Sequence, residues 1–491
     1  MEKTPAEIIA QNIDLCRERG VMLPTLEMMR DPSKIPASII EKLKTVGLHD
    51  RNPLNLFRIN WHNECSEHGG VFKKVPTYIS MPKKILGISS KIVVMCGKYF
   101  PTGAHKVGAT YCVLVDGLAT GTFDPKTQKA IWPSTGNYCR GGAFNSLLLG
   151  CQAVAVLPEE MSKERFHWLK DHGAEVHATP GCESNVKEVF DKTAELHKSD
   201  PVHMRVFDQF SVMGNPAWHA AVTGPALAEC VEDARTGEEE LSGTFFTTGS
   251  AGTIAASDFL RKSHPHIQCG VGEALQCPTI LENGFGGHRI EGIGDKHIPW
   301  VYNAKTANVV CALDDEVVMR VFRLFNEKIG QEYLAKVTGE PIESIKQLEL
   351  MGISGVANML GCLKMAKYYE MNETDILATV ATDSAAMYQS RLKELTEERG
   401  AYTEVQAMID HAMLLELTTS HTQELTFAMR RRVHNLKYFT WIEGMGFDVE
   451  ELRAQWYDKK YWEREVFGLA ERTDKAIKEF NEKVGLLEKE K

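Results

Sequence analysis

A lysine at the start of a predicted helix is the first residue in this sequence with clear chemical potential. Residues 100–111, FPTGAHKVGATY, form a loop containing Pro101 and Gly103 that runs into a helix with Lys106 in its first turn. Burial near a helix N-terminus lowers the pKa of an amine, which can then act as a base or form an imine with an aldehyde cofactor. For the motif alone, a solvated lysine is the commoner alternative.

Two further loops lead from a predicted strand into a predicted helix. Residues 133–144, PSTGNYCRGGAF, offer backbone N–H groups and the side chains of Ser134, Thr135 and Asn137 to a carboxylate, although the pattern also fits an ordinary helix cap. Residues 245–257, FFTTGSAGTIAAS, are small enough for backbone N–H groups to approach a phosphate. This loop lacks the Walker and GxGxxG patterns, so it implies neither a nucleoside triphosphate nor a dinucleotide.

The combination of the three motifs is more informative than any one of them. Pyridoxal phosphate requires a reactive lysine, a loop for the substrate carboxylate and a small phosphate cup. All three are present here, in order, at strand-to-helix turns. We therefore expect pyridoxal 5'-phosphate as the cofactor.

Strands alternate with helices from about residue 90 onwards, which predicts an α/β fold with parallel sheets covered on both faces. The predicted strands include KIVVMCG, QAVAVLP, AEVHATP, GTFFTT, QCGVGEA and ILATVATD. Residues 1–75 and 396–491 have helical spacing of apolar residues. We expect a catalytic core at 76–395, with a mobile subdomain at about 107–215, between two helical extensions that build a homodimer or larger assembly.

Composition narrows the class of protein. The 491 residues have a net charge of -10, which argues against non-specific nucleic-acid binding. No apolar run is long enough to cross a bilayer, and the polar N-terminus does not resemble a signal peptide, so we expect no membrane contact and a cytoplasmic location. The twelve cysteines lack CxxC pairs and are expected to be free thiols. His62, Cys65 and His68 are regularly spaced, but three such residues without a fourth predict no metal site.

The sequence resembles the tryptophan synthase β/cysteine synthase superfamily, the fold type II pyridoxal phosphate enzymes, and most closely the cysteine synthase and cystathionine β-synthase branch. The likeness spans about residues 76–395. The segments that carry it are PEEMSKERFHWLKDHGAEVHATPG (158–181), NPAWHAAVTGP (215–225), HRIEGIGDKHIP (288–299), GISGVANMLGCLKMAK (352–367) and ATDSAAMYQS (381–390). The implied fold is two open parallel-sheet subdomains, here with helical extensions at both ends.

The resemblance also implies roles for individual residues. Lys106 would hold the cofactor as a Schiff base and later shuttle a proton, and Ser384 would hydrogen-bond the pyridine nitrogen. Asn137 would contact the 3′-oxygen of the cofactor, and it would help Ser134, Thr135 and Gly136 to hold the substrate carboxylate. The phosphate cup would consist of Gly249, Ser250, Ala251, Gly252 and Thr253. A neutral hydroxyl at the ring nitrogen favours β-elimination through an aminoacrylate over transamination or racemisation.

Three departures from the family pattern leave alternatives open. His105 precedes the lysine, as in the tryptophan synthase β branch, and either helps neutralise the phosphate or packs in the core. Ala251 replaces a usual glycine, a mild change if its φ is negative. Arg140 lies three residues past Asn137, where it either binds a second acidic group of the substrate or forms a salt bridge on the helix surface.

The expected function is β-elimination or β-replacement on a serine- or cysteine-like amino acid, similar to that of a cysteine synthase. An ammonia-lyase or dehydratase acting on a hydroxy- or diamino acid is the first alternative. A catalytically silent homologue that serves as a subunit is the second, and the complete set of site residues argues against it.

Overall fold

The computed structural model describes residues 3–64, 71–134 and 136–490. Three residues discussed above, Cys65, His68 and Thr135, lie outside the described residues. Within the described part of the chain the strands, numbered in chain order, are β1 (Tyr78–Ser80), β2 (Lys91–Cys96), β3 (Lys129–Pro133), β4 (Ala153–Pro158), β5 (Glu175–Thr179), β6 (Met204–Val206), β7 (Glu240–Thr247), β8 (Gln268–Ala274), β9 (Val309–Leu313), β10 (Asp375–Ala381) and β11 (Thr422–Glu424).

The strands form two sheets. The larger sheet has the order β1-β2-β10-β7-β8-β9-β11, and its interior pairs are parallel. The smaller sheet has the order β5-β4-β3-β6, is parallel throughout, and falls inside the subdomain predicted at 107–215. Strands β2 and β4 are buried along their whole length, as expected for parallel strands with helices on both faces. The predicted α/β architecture is confirmed.

Helices cover both sheets and form most of the two terminal segments. In chain order they are α1 (Pro5–Arg19), α2 (Leu26–Arg30), α3 (Ala37–Leu43), α4 (Lys83–Leu86), α5 (Lys106–Thr120), α6 (Asn137–Leu149), α7 (Lys163–Asp171), α8 (Val186–Ser199), α9 (Gly214–Trp218), α10 (Gly224–Ala234), α11 (Ala255–Leu260), α12 (Thr279–Glu282), α13 (Asp315–Asn326), α14 (Lys328–Thr338), α15 (Ile342–Lys346), α16 (Ile353–Tyr368), α17 (Gln389–Arg399), α18 (Glu404–Leu415), α19 (Phe427–Lys437), α20 (Val449–Tyr457) and α21 (Gly468–Val484).

The two terminal segments pack together on α5, the helix that begins with Lys106. Leu23 and Asn481 exchange a pair of hydrogen bonds at 3.1 and 2.7 Å, which joins the N-terminal segment to α21. Asn12 donates to the carbonyl oxygens of Leu118 and Phe123 at 3.1 and 3.0 Å, at and just beyond the C-terminal end of α5. The extensions therefore brace the helix on which the predicted cofactor lysine is mounted.

One detail of the C-terminal segment differs from the sequence analysis, which predicted only helices after about residue 395. Strand β11 pairs antiparallel with β9 at the edge of the larger sheet. Three residues are too few to give a recognisable period-two pattern, and the pairing with β9 is long-range.

The described cysteines are all free thiols. Among the described residues, no helix is long and apolar enough to span a membrane. The cytoplasmic location and the homo-oligomer stay predictions. The C-terminal segment carries large apolar side chains that are more than half exposed, at Phe427, Phe439 and Tyr457.

Candidate active site

Lys106 is the first residue of α5, and its side chain lies at a narrow cavity between the two sheets. Its Nζ donates to Oγ of Ser250 at 2.8 Å and to Oε1 of Gln209 at 3.3 Å. Burial lowers the pKa of Lys106 to about 8, while the negative charges of Asp295 and Glu183 act in the opposite direction. A substantial fraction of this amine is therefore neutral near pH 8, as the sequence analysis expected of a reactive lysine.

The predicted phosphate cup follows β7. Gly249 and Ser250 line the cavity, and Gly252 opens a short 3-10 turn that leads into α11. A Cβ atom on Gly249 would lie 2.7 Å from the carbonyl oxygen of Gly292, and one on Gly252 would collide with the side chain of Asn215. Glycine is therefore required at both positions, because Gly292 and Asn215 pack directly against the loop backbone.

Two residues of the predicted phosphate cup, Ala251 and Thr253, differ from the others in backbone conformation or in position. Ala251 has a φ of +61°. The change from glycine to alanine was expected to be mild only with a negative φ, so it is not mild here. An alanine in the left-handed region costs roughly 1–2 kcal/mol. Thr253, half-buried, belongs to the 3-10 turn and does not line the cavity.

The predicted carboxylate loop lies on the smaller sheet, between β3 and α6. Ser134 and Asn137 line the cavity. Oγ of Ser134 accepts hydrogen bonds from the backbone N–H of Gly136 and from Nε2 of Gln209, both at 3.1 Å, which leaves its own hydrogen to donate. Gly136 has a φ of +143°, and a Cβ there would press into the side chain of Arg165.

A buried polar network stands behind this loop and was not anticipated from the sequence. Nδ2 of Asn137 donates to Asp383 at 2.6 Å, the hydroxyl of Tyr388 donates to Asp383 at 2.7 Å, and Nη2 of Arg165 donates to that hydroxyl at 2.9 Å. Nε of Arg165 also lies 3.3 Å from a carboxylate oxygen of Glu291. Burial raises the pKa of Asp383, and the Arg165 charge and the Asn137 hydrogen bond oppose this shift.

Ser384 follows β10 at the edge of the same region. The residue is buried, and it precedes the 3-10 turn Ala385–Met387. Thr382, two positions earlier, lines the cavity. Ser384 itself does not line the cavity, and its contact with the cofactor nitrogen stays a prediction.

His105 lies behind Lys106 and does not line the cavity. It is fully buried against the rings of Trp61, Trp218 and His219. Burial, reinforced by the neighbouring charge of Lys106, lowers the pKa of His105 well below its ordinary value. Both ring nitrogens of His105 are buried without a hydrogen-bond partner among the described residues, so both alternatives for this histidine stay predictions.

Arg140 is buried on the first turn of α6, so it forms no salt bridge on the helix surface. Its Nη2 donates to the carbonyl oxygen of Thr102 at 2.7 Å, and its guanidinium lies 4.7 Å from the ring centre of Trp168. Burial, with the charge of Arg165, lowers the pKa of Arg140 to about 9. Arg140 lies outside the cavity lining and braces the loop that leads to Lys106.

Asp295 and Gln209 line the cavity but were given no role from the sequence. Asp295 lies within the GIG…IP segment that carried part of the resemblance, where a carboxylate directly after the Gly-Ile-Gly sequence was the available signal. Gln209 lies six residues before Asn215 in a segment with no distinguishing pattern. Of the regularly spaced residues His62, Cys65 and His68, only His62 lies in the described part of the chain. Its Nε2 lies 2.7 Å from a carboxylate oxygen of Glu229.

Comparison with known proteins agrees with this arrangement. A profile of the family described as pyridoxal-phosphate dependent enzyme matches residues 79–383. This chain belongs to that family. The match begins in β1 and ends at Asp383, so it contains Lys106, both loops and Asp295, and it makes the protein a pyridoxal phosphate-dependent enzyme.

Individual relatives of this pyridoxal phosphate-dependent enzyme support the predicted branch. The chain is 30% identical to a probable cysteine synthase of Bacillus subtilis, over 44% of this chain and 68% of the relative. It is 25% identical to a cystathionine beta-synthase of Saccharomyces cerevisiae, over 72% and 68%. A hydrogen sulfide-producing enzyme from Fusobacterium nucleatum has the same fold, with a TM-score of 0.54 at 22% identity over 64% of this chain and 96% of that one.

Proposed function

We propose that Lys106 carries pyridoxal phosphate as an imine and that the enzyme catalyses β-elimination or β-replacement on a serine- or cysteine-like amino acid. The observation that carries this proposal is the half-buried side chain of Lys106, whose Nζ lies between the carboxylate loop and the phosphate loop and has a pKa lowered to about 8. An amine of this kind suits both imine formation and proton transfer at the α-carbon.

The residues around Lys106 fit the cofactor. Gly249 and Gly252 carry no side chain, so their backbone N–H groups are not screened from a phosphate by a Cβ of their own. Oγ of Ser250 accepts from Lys106 and from Nδ2 of Asn215 at 3.0 Å, so its own hydrogen is available to a phosphate oxygen. Oδ1 of Asn137 is buried and has no hydrogen-bond partner among the described residues, which suits a polar ligand atom at that point.

Each group of side chains then has a defined task. When bound, pyridoxal phosphate withdraws electrons from the α-carbon of an attached amino acid. Nζ of Lys106 removes the α-proton. Ser134 and the backbone at the start of α6 hold the substrate carboxylate, with the positive end of the helix dipole favouring its charge. Ser384 offers the ring nitrogen a neutral hydroxyl, and closure of the smaller subdomain excludes water.

A substrate panel tests the proposal. The cofactor-loaded protein is mixed with O-acetylserine, β-chloroalanine, cysteine and serine, each with and without sulfide, and pyruvate and β-substituted products are measured. We expect turnover of at least one substrate by wild type and by a surface control, Lys163→Ala, and none by Lys106→Ala. Pyruvate and ammonia without any β-substituted product would mean β-elimination alone. If they form from serine but not from O-acetylserine, β-chloroalanine or cysteine, the dehydratase alternative is selected. No product from any substrate would contradict the proposal and favour a silent homologue.

A further inference from the structure

Asp295 is held in a tightly built turn against the phosphate cup. Gly292 and Gly294 precede it with φ angles of +97° and +82°. The backbone N–H of Gly294 donates to the carbonyl oxygen of Thr248 at 2.7 Å, and Oγ1 of Thr279 donates to the backbone carbonyl of Asp295 at 2.9 Å. The position of this aspartate is therefore fixed by contacts on both sides of it.

The carboxyl group of Asp295 is buried at the cavity, and neither oxygen has a hydrogen-bond partner among the described residues. Other charged groups at the cavity are Lys106, Arg165 and Glu183. Arg165 already contacts Glu291 and Glu183 at 3.3 and 4.0 Å. Burial raises the pKa of Asp295 to about 7, and the charge of Lys106 opposes the rise.

Two other buried carboxyl groups show what a structural role looks like in this protein. The pKa of Glu273 is also raised to about 7 by burial, yet its oxygens accept backbone hydrogen bonds from Ile280 and Leu281 at 2.7 and 2.8 Å. Asp383 is equally buried and accepts from two side chains. Asp295 has no such donors, and leaving a buried carboxyl group unpaired costs stability that a purely structural residue does not require.

We propose that Asp295 is the acid–base group on the β-carbon side of the reaction, and that the substrate is a β-hydroxy amino acid of the serine type. This inference rests on the proposed function, because it assigns the second proton transfer of that reaction. Lys106 serves the α-carbon, and the cavity lining offers Asp295 as a separate proton donor. Chloride or acetate leaves unaided, whereas a hydroxyl leaves only with a proton.

Asp295 would give up one proton and regain one proton in each reaction cycle. The bond from the β-carbon to the hydroxyl oxygen breaks, and that oxygen takes the electron pair and the Asp295 proton to leave as water. An incoming nucleophile then bonds to the β-carbon, and its proton passes to the Asp295 carboxylate. Lys106 returns the α-proton. A carboxyl group that titrates near neutral pH can perform both the donation and the acceptance.

The test compares two leaving groups. In Asp295→Asn, turnover of serine should fall by roughly 10²–10⁴-fold, while turnover of β-chloroalanine stays near the wild-type value. Asp295→Ala should show the same selectivity. Glu273→Gln is the matched control, a buried carboxyl group of similar pKa, and it should leave the serine-to-chloroalanine ratio unchanged.

A second readout does not depend on turnover. Infrared spectra of the cofactor-free protein should contain a protonated-carboxyl band of Asp295 that fades as the pH rises through about 7, that is lost in Asp295→Asn and that persists in Glu273→Gln. Glu273, whose pKa is similar, contributes a second band that Asp295→Asn retains. Equal losses on both substrates, unchanged serine turnover, or no such band would each overturn the inference. If wild type fails on β-chloroalanine and every other substrate, the proposed function has failed, and the infrared band still decides whether Asp295 holds a proton.

Discussion

Asn137 and Asp383 join the two sheets across the cavity, with Nδ2 of Asn137 donating to the Asp383 carboxylate at 2.6 Å. Asn137 begins α6 on the smaller sheet, and Asp383 follows β10 in the larger one. The residue predicted to meet both cofactor and substrate is thus tied to the opposite wall. One N–H of its amide is used by this bond, and the other remains for a ligand.

Removing this link should destabilise the protein. Asn137→Ala leaves the buried Asp383 with one donor fewer, and the loss of a hydrogen bond to a charged group costs about 1.5–3 kcal/mol. Urea unfolding of the cofactor-free protein measures the change in free energy. An exposed helix residue provides the control: Asn435→Ala should stay within about 0.5 kcal/mol of wild type. Equal small effects for both variants would mean that the bond does not form in solution.

The reactivity of Lys106 should change with pH in a defined direction. Only the neutral amine forms an imine, and the pKa of Lys106 is lowered to about 8, so the rate of cofactor binding should rise through pH 8 and then level off. Stopped-flow absorbance after mixing pyridoxal phosphate with cofactor-free protein measures this rate.

The Asp295→Asn variant supplies a matched comparison for that titration. The Asp295 charge raises the pKa of Lys106, so its removal should move the midpoint to lower pH. A midpoint near the ordinary lysine value of about 10.4, in either protein, would show that the amine is not desolvated as described.

The left-handed alanine of the phosphate cup predicts a stabilising substitution. Ala251→Gly should raise the free energy of unfolding by roughly 1 kcal/mol, because glycine tolerates the φ of +61° that alanine adopts there at a cost. Ala255→Gly, at the start of α11 with a φ of -63°, is the control and should lower stability by about 0.5–1 kcal/mol. Urea unfolding measures the change in free energy for both variants. Destabilisation by Ala251→Gly would contradict the positive φ at this position.

Arg140 can be assigned by comparing acidic and neutral substrates. Its hydrogen bond to Thr102 lies in the loop before Lys106, so Arg140→Ala should loosen that loop and reduce kcat/KM for both substrate classes alike. A selective loss for acidic substrates of about ten- to a hundredfold would instead support a direct contact with a second acid group. Steady-state kinetics on a matched pair of amino acids distinguishes the two.

Much of this arrangement could be predicted from local sequence. The three strand-to-helix loops, the cofactor and the parallel sheets follow from short motifs whose order is preserved. The positions of Asp383 and Tyr388 relative to Arg165 could not be predicted, because those contacts join residues more than two hundred positions apart. The exposure of Asp295 to the cavity depends on the positive φ angles of Gly292 and Gly294, which the sequence does not reveal. The positive φ of Ala251 could not be predicted either, because alanine rarely adopts it.

Borohydride reduction followed by peptide mapping tests most directly whether Lys106 holds the cofactor. Reduction of the cofactor-loaded protein should fix the pyridoxyl group on the peptide that contains Lys106. Lys106→Ala should carry no label, while the surface variant Lys163→Ala should be labelled like wild type. A label on any other lysine of the wild-type protein, or an unlabelled wild type with bound cofactor, would contradict the account.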